Sequence, residues 1–348
     1  MRATFDEHRT KIIAVQNYIE MLKHITNIPA KYPHEHASIE LKTFLSMPQK
    51  RSYDYSLIII TLYGICESFI EKIVCAYLRS IKKQIKIYSD LPDSIRKSHT
   101  TLSTKLIGLN STKYGELKEN EIISNLNSCL NQKENDYQLN LDAFRQHSSN
   151  FRTDAIRDFF KHIGIDNIDQ LIAKDSELTK FMQLTMGEAD IINTLPISKY
   201  FEILEDLVER RNVVAHGSNV DDLLSLDILH EYAEYILLLI QAIYNSLLEE
   251  YYSVMITTGI TKEMGHAIQV YNNRIVCLNS ANTLIKTGQI LIAVNSRNHL
   301  HWGEIKSIQI NGVNVDEVAA DQAQDIGMAV SFSAKNTYTY HLYPHNCP

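Results

Sequence analysis

The sequence predicts an α+β protein in two parts, an all-α helical bundle over residues 1–252 and a small, closed antiparallel β-barrel over residues 253–348. Three observations predict it. Up to Tyr252 the apolar residues recur every three or four positions, the period of a helix with one buried face. Beyond Tyr252 they fall in short alternating or β-branched runs broken by glycine. The 348 residues, 45% hydrophobic and 22% charged, are ordinary for a folded chain and enough for two cores.

In chain order, Ile12, Val15, Ile19, Leu22 and Ile25 mark a helix over Phe5–Ile28, closed by Pro29 and Pro33. A second helix covers Ile39–Met47. A long central helix, Ser52–Ile87, carries a stripe through Ile58, Leu62, Ile65, Phe69, Ile73 and Tyr77, with Glu67 and Glu71 one turn apart. Its distal part and the segment after Pro92 hold the most basic cluster, Arg79, Lys82, Lys83, Lys86, Arg96 and Lys97. Such a run is either a solvated helix face or an RNA-binding surface that tracks phosphates.

Residues 98–140 are polar and suggest short helices and loops. Arg145, His147 and Arg152 either approach a phosphate or are ordinary loop polarity, and Thr153 is placed to cap a helix running into His162–Gly164. After a short helix at 168–173 and a capped segment from Asp175 to Leu184, Pro196 precedes a strong helix through Phe201, Leu204, Leu207, Val208, Val213 and Val214. Asp221 and Asp222 start a last long helix reaching Leu247, with Glu249 and Glu250 at its exposed end, so that the two helices form an antiparallel pair joined by a turn at 217–220.

The β region shows six runs: 268–271, 274–278, 289–294, 304–310, 328–332 and 337–342, with Thr287-Gly288 and Asn311-Gly312 as turns. Trp302 and Tyr340 suit either the core of a barrel or stacking on a base. The pairs His34/His36 and His299/His301 offer too few ligands for a metal site. The net charge of −7 excludes a chain that coats nucleic acid over its whole surface and confines any anion site to a local patch. Five scattered cysteines without a Cys-x-x-Cys pair, a charged N-terminus and apolar runs well short of a bilayer span point to a cytoplasmic protein with no membrane partner.

The chemistry concentrates in Glu209-Arg210-Arg211-Asn212-Val213-Val214-Ala215-His216-Gly217, the end of the helix after Pro196. Asn212 and His216 are four apart and share a helix face, while Arg211 lies about 140° from His216 and reaches it only through a long side chain. A histidine that moves a proton near neutral pH and an arginine that holds a phosphate suit a phosphodiester. RNA carries its own nucleophile in the 2′-hydroxyl, so this set needs neither metal nor cofactor. A structural role for all three side chains, as ion pair, cap and carbonyl donor, is the competing reading.

Arg211-Asn212-Val213-Val214-Ala215-His216-Gly217 resembles the signature of the HEPN superfamily, an arginine followed after four to six residues by histidine, with a polar residue after the arginine. Leu207-Val208-Glu209-Arg210 and the helix Tyr63-Gly64-Ile65-Cys66-Glu67-Ser68-Phe69-Ile70-Glu71 also look like bacterial members. The resemblance spans Ser52–Tyr252. It implies a metal-independent endoribonuclease with Arg211, Asn212 and His216 as catalytic residues, supported by Glu67 and Arg210. It also implies a homodimer or higher homo-oligomer, and a role in toxin–antitoxin or anti-phage defence with a protein partner or antitoxin.

The β segments Thr283–Ile292, Gly303–Ala319 and Ala323–Val330 are similar in order and spacing to the second-domain barrel of translational GTPases such as elongation factor Tu, though the chain has no Gly-x-x-x-x-Gly-Lys loop. That resemblance implies tRNA or another translation-associated RNA as substrate. The alternatives are a non-catalytic RNA- or protein-binding module and the sensing or neutralising half of a defence pair.

Overall fold

The computed structural model describes residues 1–31, 36–108, 118–131, 137–185, 195–217, 222–280, 283–319, 323–345 and 347–348. The chain separates into two compact units, one of Met1, Ala3–Lys82 and Lys86–Leu247, the other of Arg2, Lys83–Ile85 and Leu248–Pro348. Among the described residues eleven α-helices are followed by ten strands, an α+β architecture: α1 Arg2–Lys31, α2 His36–Leu45, α3 Pro48–Gln84, α4 Asp93–Gly108, α5 Glu119–Leu130, α6 Leu141–Phe144, α7 Thr153–Lys161, α8 Ile168–Ile172, α9 Ser176–Thr185, α10 Glu202–Ala215 and α11 Leu226–Thr257. Among the described residues no helix is long and apolar enough to cross a membrane.

The helical unit is built around α3. Ile58, Leu62, Phe69 and Ile73 of its predicted stripe are fully or almost fully buried, and the neighbouring Ile59, Cys66, Ile70 and Val74 are buried as well, so α3 is covered on most of its circumference. α1 packs beside it: Phe5 stacks on Tyr244 of α11 at 4.8 Å, and His8, with no solvent exposure, meets Ser68 of α3 at 3.2 Å. α9 is capped as its sequence suggests, since Asp175 Oδ1 accepts from the amides of Glu177 and Leu178.

Several boundaries differ from expectation for identifiable reasons. Pro29 does not close α1, which runs on to Lys31. A proline at that point removes one bond in the last turn, while Ile12, Val15, Ile19 and Leu22 already anchor the helix. Pro33 and His34 lie outside the described residues. Thr153 is not the cap of α7, because Arg152 occupies that position. The Thr153 amide and hydroxyl both donate to Glu205 Oε1 of α10, at 2.9 and 2.7 Å, so a tertiary carboxylate caps the helix. α11 begins at Leu226 rather than at Asp222, and Asp221 and the turn residues 218–220 lie outside the described set. Nor does α11 end at Glu250: Tyr251, Tyr252 and Met255 continue its apolar face and are buried, which carries the helix to Thr257.

The second unit is a curled antiparallel sheet. Its strands are β1 Lys262–His266, β2 Gln269–Tyr271, β3 Ile275–Asn279, β4 Ile285–Lys286, β5 Ile290–Val294, β6 Leu300–Ile310, β7 Val313–Val315, β8 Glu317–Val318, β9 Asp325–Val330 and β10 Thr339–Tyr343. All six predicted runs are strands, and β1, β4, β7 and β8 were not anticipated. The hydrogen-bonded order β1-β10-β5-β6-β9-β3-β2 leaves two ends, so the expected closed barrel is a half-barrel. β2 is only three residues long, and β1 is bulged beside Gly265, whose φ is +75°. Asn311 and Gly312, both at positive φ, make the two-residue turn that pairs Ile310 with Val313.

Inward residues such as Val276, Leu291, Ile305, Met328 and Tyr340 form the half-barrel core. Tyr340 is wholly buried and donates to the Lys335 carbonyl, which assigns it to the core and not to base stacking; Trp302 packs 5.7 Å from Tyr252. On β6, a Cβ added at Gly303 would lie 2.2 Å from Ser331 Oγ and 3.0 Å from Phe332 Cδ1. Gly303→Ala is therefore expected to lose about 1–3 kcal/mol of stability in denaturant titration; an unchanged midpoint would show that this strand crossing yields freely.

Candidate active site

The Arg-Asn-His stretch closes α10. Glu202 and Glu205 occupy its first turn, where carboxylates favour the positive end of the helix, and Leu204, Leu207 and Val208 bury its apolar face. The His216 amide still bonds the Asn212 carbonyl at 3.0 Å, and Gly217 turns the chain out of the helix at φ +68°. Arg211 and Asn212 are half-buried and His216 is exposed.

The two adjacent arginines part company. Arg210 is enclosed, its side chain 18% exposed, with Nε on Asp206 Oδ2 at 2.5 Å and Nη1 on Tyr55 Oη and the Asp222 carbonyl at 3.1 and 3.0 Å. It ties α10 to α3 and to the segment before α11. Burial alone would favour loss of its proton, but Tyr55 and Asp206 more than offset this and hold it charged. Arg211 instead lies over the Tyr63 ring of α3, with Cζ 5.2 Å from the centroid, and donates to Asn212 Oδ1 at 3.2 Å.

The segment between α6 and α7 closes one side of this arrangement. Asn150 Nδ2 donates to Asn212 Oδ1 at 2.7 Å, and the Phe151 amide donates to Tyr63 Oη at 3.0 Å. Tyr63 Oη in turn faces Glu67 Oε1 at 3.4 Å. Arg145, His147 and Arg152 are not presented to a phosphate. Arg145 and His147 meet Glu71 at 3.1 and 2.8 Å, and Arg152 bridges Glu205 and Glu209 at 2.9 and 2.6 Å. A cleft of about 530 Å³ opens beside Asn150, lined by Ser148, Ser149, Arg152, Asp154 and Glu205.

His147 is enclosed, 8% exposed, between Glu71 and the Ser149 carbonyl, so both ring nitrogens face acceptors. Burial lowers its pKa, but these bonds outweigh burial and raise it; burial raises that of Glu71, but His147 and Arg145 bring it below the usual carboxylate range. The His147 contribution is complete below its ordinary 6.5 and fades as pH rises through the folded value. The Glu71 contribution is complete above its ordinary 4.5 and fades as pH falls through the folded value. The stability gap between wild type and His147→Asn is therefore expected to be widest from pH 4.5 to 6.5 and to narrow on both sides, as thermal melts across pH will show. A gap independent of pH would refute the charged pair.

The basic cluster of α3 and α4 is partly engaged elsewhere. Lys82 donates to Gln138 at 2.6 Å and lies over the Tyr137 ring, Arg96 holds the Leu91 carbonyl and Asp93, and Lys97 is 3.9 Å from Asp93. Arg79, Lys83 and Lys86 are exposed.

A long buried helix carrying Tyr63 and Glu67, packed by a helix that ends in Arg-Asn-x-x-x-His, is the arrangement of a HEPN-type helical domain. Residues 16–249, more than half of the chain, match the RiboL-PSP-HEPN family, and the protein belongs to that family. No match was found among curated proteins or solved structures.

The contact of Asn150 with Asn212 was not legible in the sequence. Nothing in the polar run Ser148-Ser149-Asn150 links it to a motif 62 positions later, and only the tertiary contact does so. Glu67 Oε1 accepts from Tyr63 Oη at 3.4 Å, and His147 Nε2 stands 3.9 Å from it.

Proposed function

We propose that the protein is a metal-independent endoribonuclease whose catalytic residues are Arg211, Asn212 and His216. The observation that carries this reading is the division of labour at the end of α10: Arg210 is locked into the scaffold, while Arg211 and Asn212 lie half-buried and side by side, one turn before an exposed His216. His216 removes the proton of the 2′-hydroxyl; O2′ attacks phosphorus as the bond to O5′ breaks, leaving a 2′,3′-cyclic phosphate and a 5′-hydroxyl. The departing O5′ takes up a proton, which a second imidazolium supplies in a homodimer. Arg211 and the Asn212 amide hold the phosphoryl oxygens as charge gathers on them.

The half-barrel, similar in block order to the second domain of translational GTPases, supports tRNA or another translation-associated RNA as the substrate, in a toxin–antitoxin or anti-phage setting in the cytoplasm. Sequencing RNA ends after brief expression of wild type and His216→Ala tests this. New ends with cyclic phosphates, confined to wild type and enriched in such RNAs, support it; identical ends in both overturn it.

A further inference from the structure

The motif does not orient itself. Four contacts and one peptide link close a ring through three separate segments: the Tyr63 ring to Arg211, Arg211 to Asn212, Asn212 to Asn150, the peptide from Asn150 to Phe151, and the Phe151 amide back to Tyr63 Oη. Tyr63 is 2% exposed and Phe151 not at all, so the far side of the ring is set in the core. An arginine has no acceptor atom, so the end of the Asn212 amide that faces Arg211 must be its oxygen. That oxygen then requires a donor from Asn150, which supplies Nδ2 at 2.7 Å. With Oδ1 held by two donors, the Nδ2 of Asn212 is the end directed away from both.

From this geometry we infer that Asn150 and Tyr63 are positioning residues for the nuclease site: Asn150 fixes which end of the Asn212 amide meets the phosphate, and the Tyr63 ring holds the Arg211 guanidinium beside it. The inference rests on the functional reading above and extends it to two residues outside the Arg-to-His stretch. The segment 145–153 is thereby part of the site. It is anchored at one end by His147 and Arg145 on Glu71 and at the other by Arg152 and Thr153 on Glu205, which leaves Asn150 little freedom to swing away. An interaction made by a pre-set donor costs no reorganisation when charge develops on the phosphate.

A double-mutant cycle on the full-length protein tests it, with two readouts: cleavage rate on a single-stranded RNA, and affinity for the same oligonucleotide carrying 2′-deoxy substitutions, which binds but cannot be cut. Asn150→Ala is expected to reduce cleavage about tenfold in the wild-type background and by less than about twofold in the Asn212→Ala background, because its effect passes through that amide. Tyr63→Leu is expected to behave in the same way against Arg211→Ala, whereas Tyr63→Phe keeps the ring under Arg211 but removes the acceptor of the Phe151 amide, so its loss is smaller than that of Tyr63→Leu and passes through Asn150. Asn150→Asp is the sharper variant. An aspartate only accepts, so the Asn212 oxygen that faces Arg211 loses its second donor and meets a carboxylate instead, and the loss exceeds that of Asn150→Ala at equal melting temperature.

Additive losses of Asn150 and Asn212, or an Asn150→Asp loss no larger than that of Asn150→Ala, overturn the positioning role while leaving the nuclease reading intact. If Asn212→Ala and Arg211→Ala both bind and cleave as wild type does, the functional reading fails and the inference falls with it.

Discussion

His216→Ala is expected to cleave RNA at least about 100-fold more slowly than wild type, the usual size of a lost general acid–base group. Its melting temperature should stay unchanged. His216 lies exposed beyond the last turn of α10, and the bond it makes to the Asn212 carbonyl comes from its backbone amide, which alanine retains. Stability should therefore move by no more than about 0.5 kcal/mol, as for other surface substitutions. The measurement is single-turnover cleavage of a labelled RNA beside a thermal melt. Equal rates for the two proteins would remove His216 from the mechanism and favour a domain that binds RNA without cutting it.

Arg210→Ala and Arg211→Ala should give opposite results. Removing Arg210 strips Asp206 of its guanidinium partner and leaves Tyr55 Oη and the Asp222 carbonyl without their donor, in a place where the side chain is only 18% exposed. A loss of about 1–3 kcal/mol in unfolding free energy follows, most of it from leaving the buried Tyr55 hydroxyl without its partner, because Asp206 is exposed enough for water to screen the ion pair. Removing Arg211 costs a ring contact and one hydrogen bond at a half-buried position, about 1 kcal/mol or less, but takes away the phosphate-holding cation and should lower cleavage by about 100-fold or more. Denaturant titration and cleavage assays on both variants decide it. A stable, inactive Arg210→Ala with an active Arg211→Ala would reverse the assignment, since Arg210 also satisfies the spacing to His216.

Where periodicity was strong, the sequence was informative. The stripe of α3, the cap at Asp175, the Asn311-Gly312 turn and the six main strands all depend on interactions between residues near one another in the chain, and each left a local pattern. The helix end at His216 and Gly217 was legible for the same reason. Elements whose limits depend on distant partners were misjudged. α7 is capped by Glu205 rather than by its own Thr153, α11 is prolonged by burial of Tyr251 and Tyr252, and whether the sheet closes depends on how β1 and β2 meet.

The sequence by itself determined that this chain is a helical domain followed by an antiparallel sheet, and that an Arg-Asn-x-x-x-His stretch terminates one helix, because both are encoded in spacing along the chain. Only the tertiary structure decided which arginine is enclosed by Asp206 and Tyr55 and which lies beside Asn212, and that Asn150 and Tyr63 contact that pair. Those assignments depend on which carboxylates, rings and amides the fold brings within about 3 to 5 Å, and such proximity between residues 62 to 155 positions apart leaves no trace in local pattern.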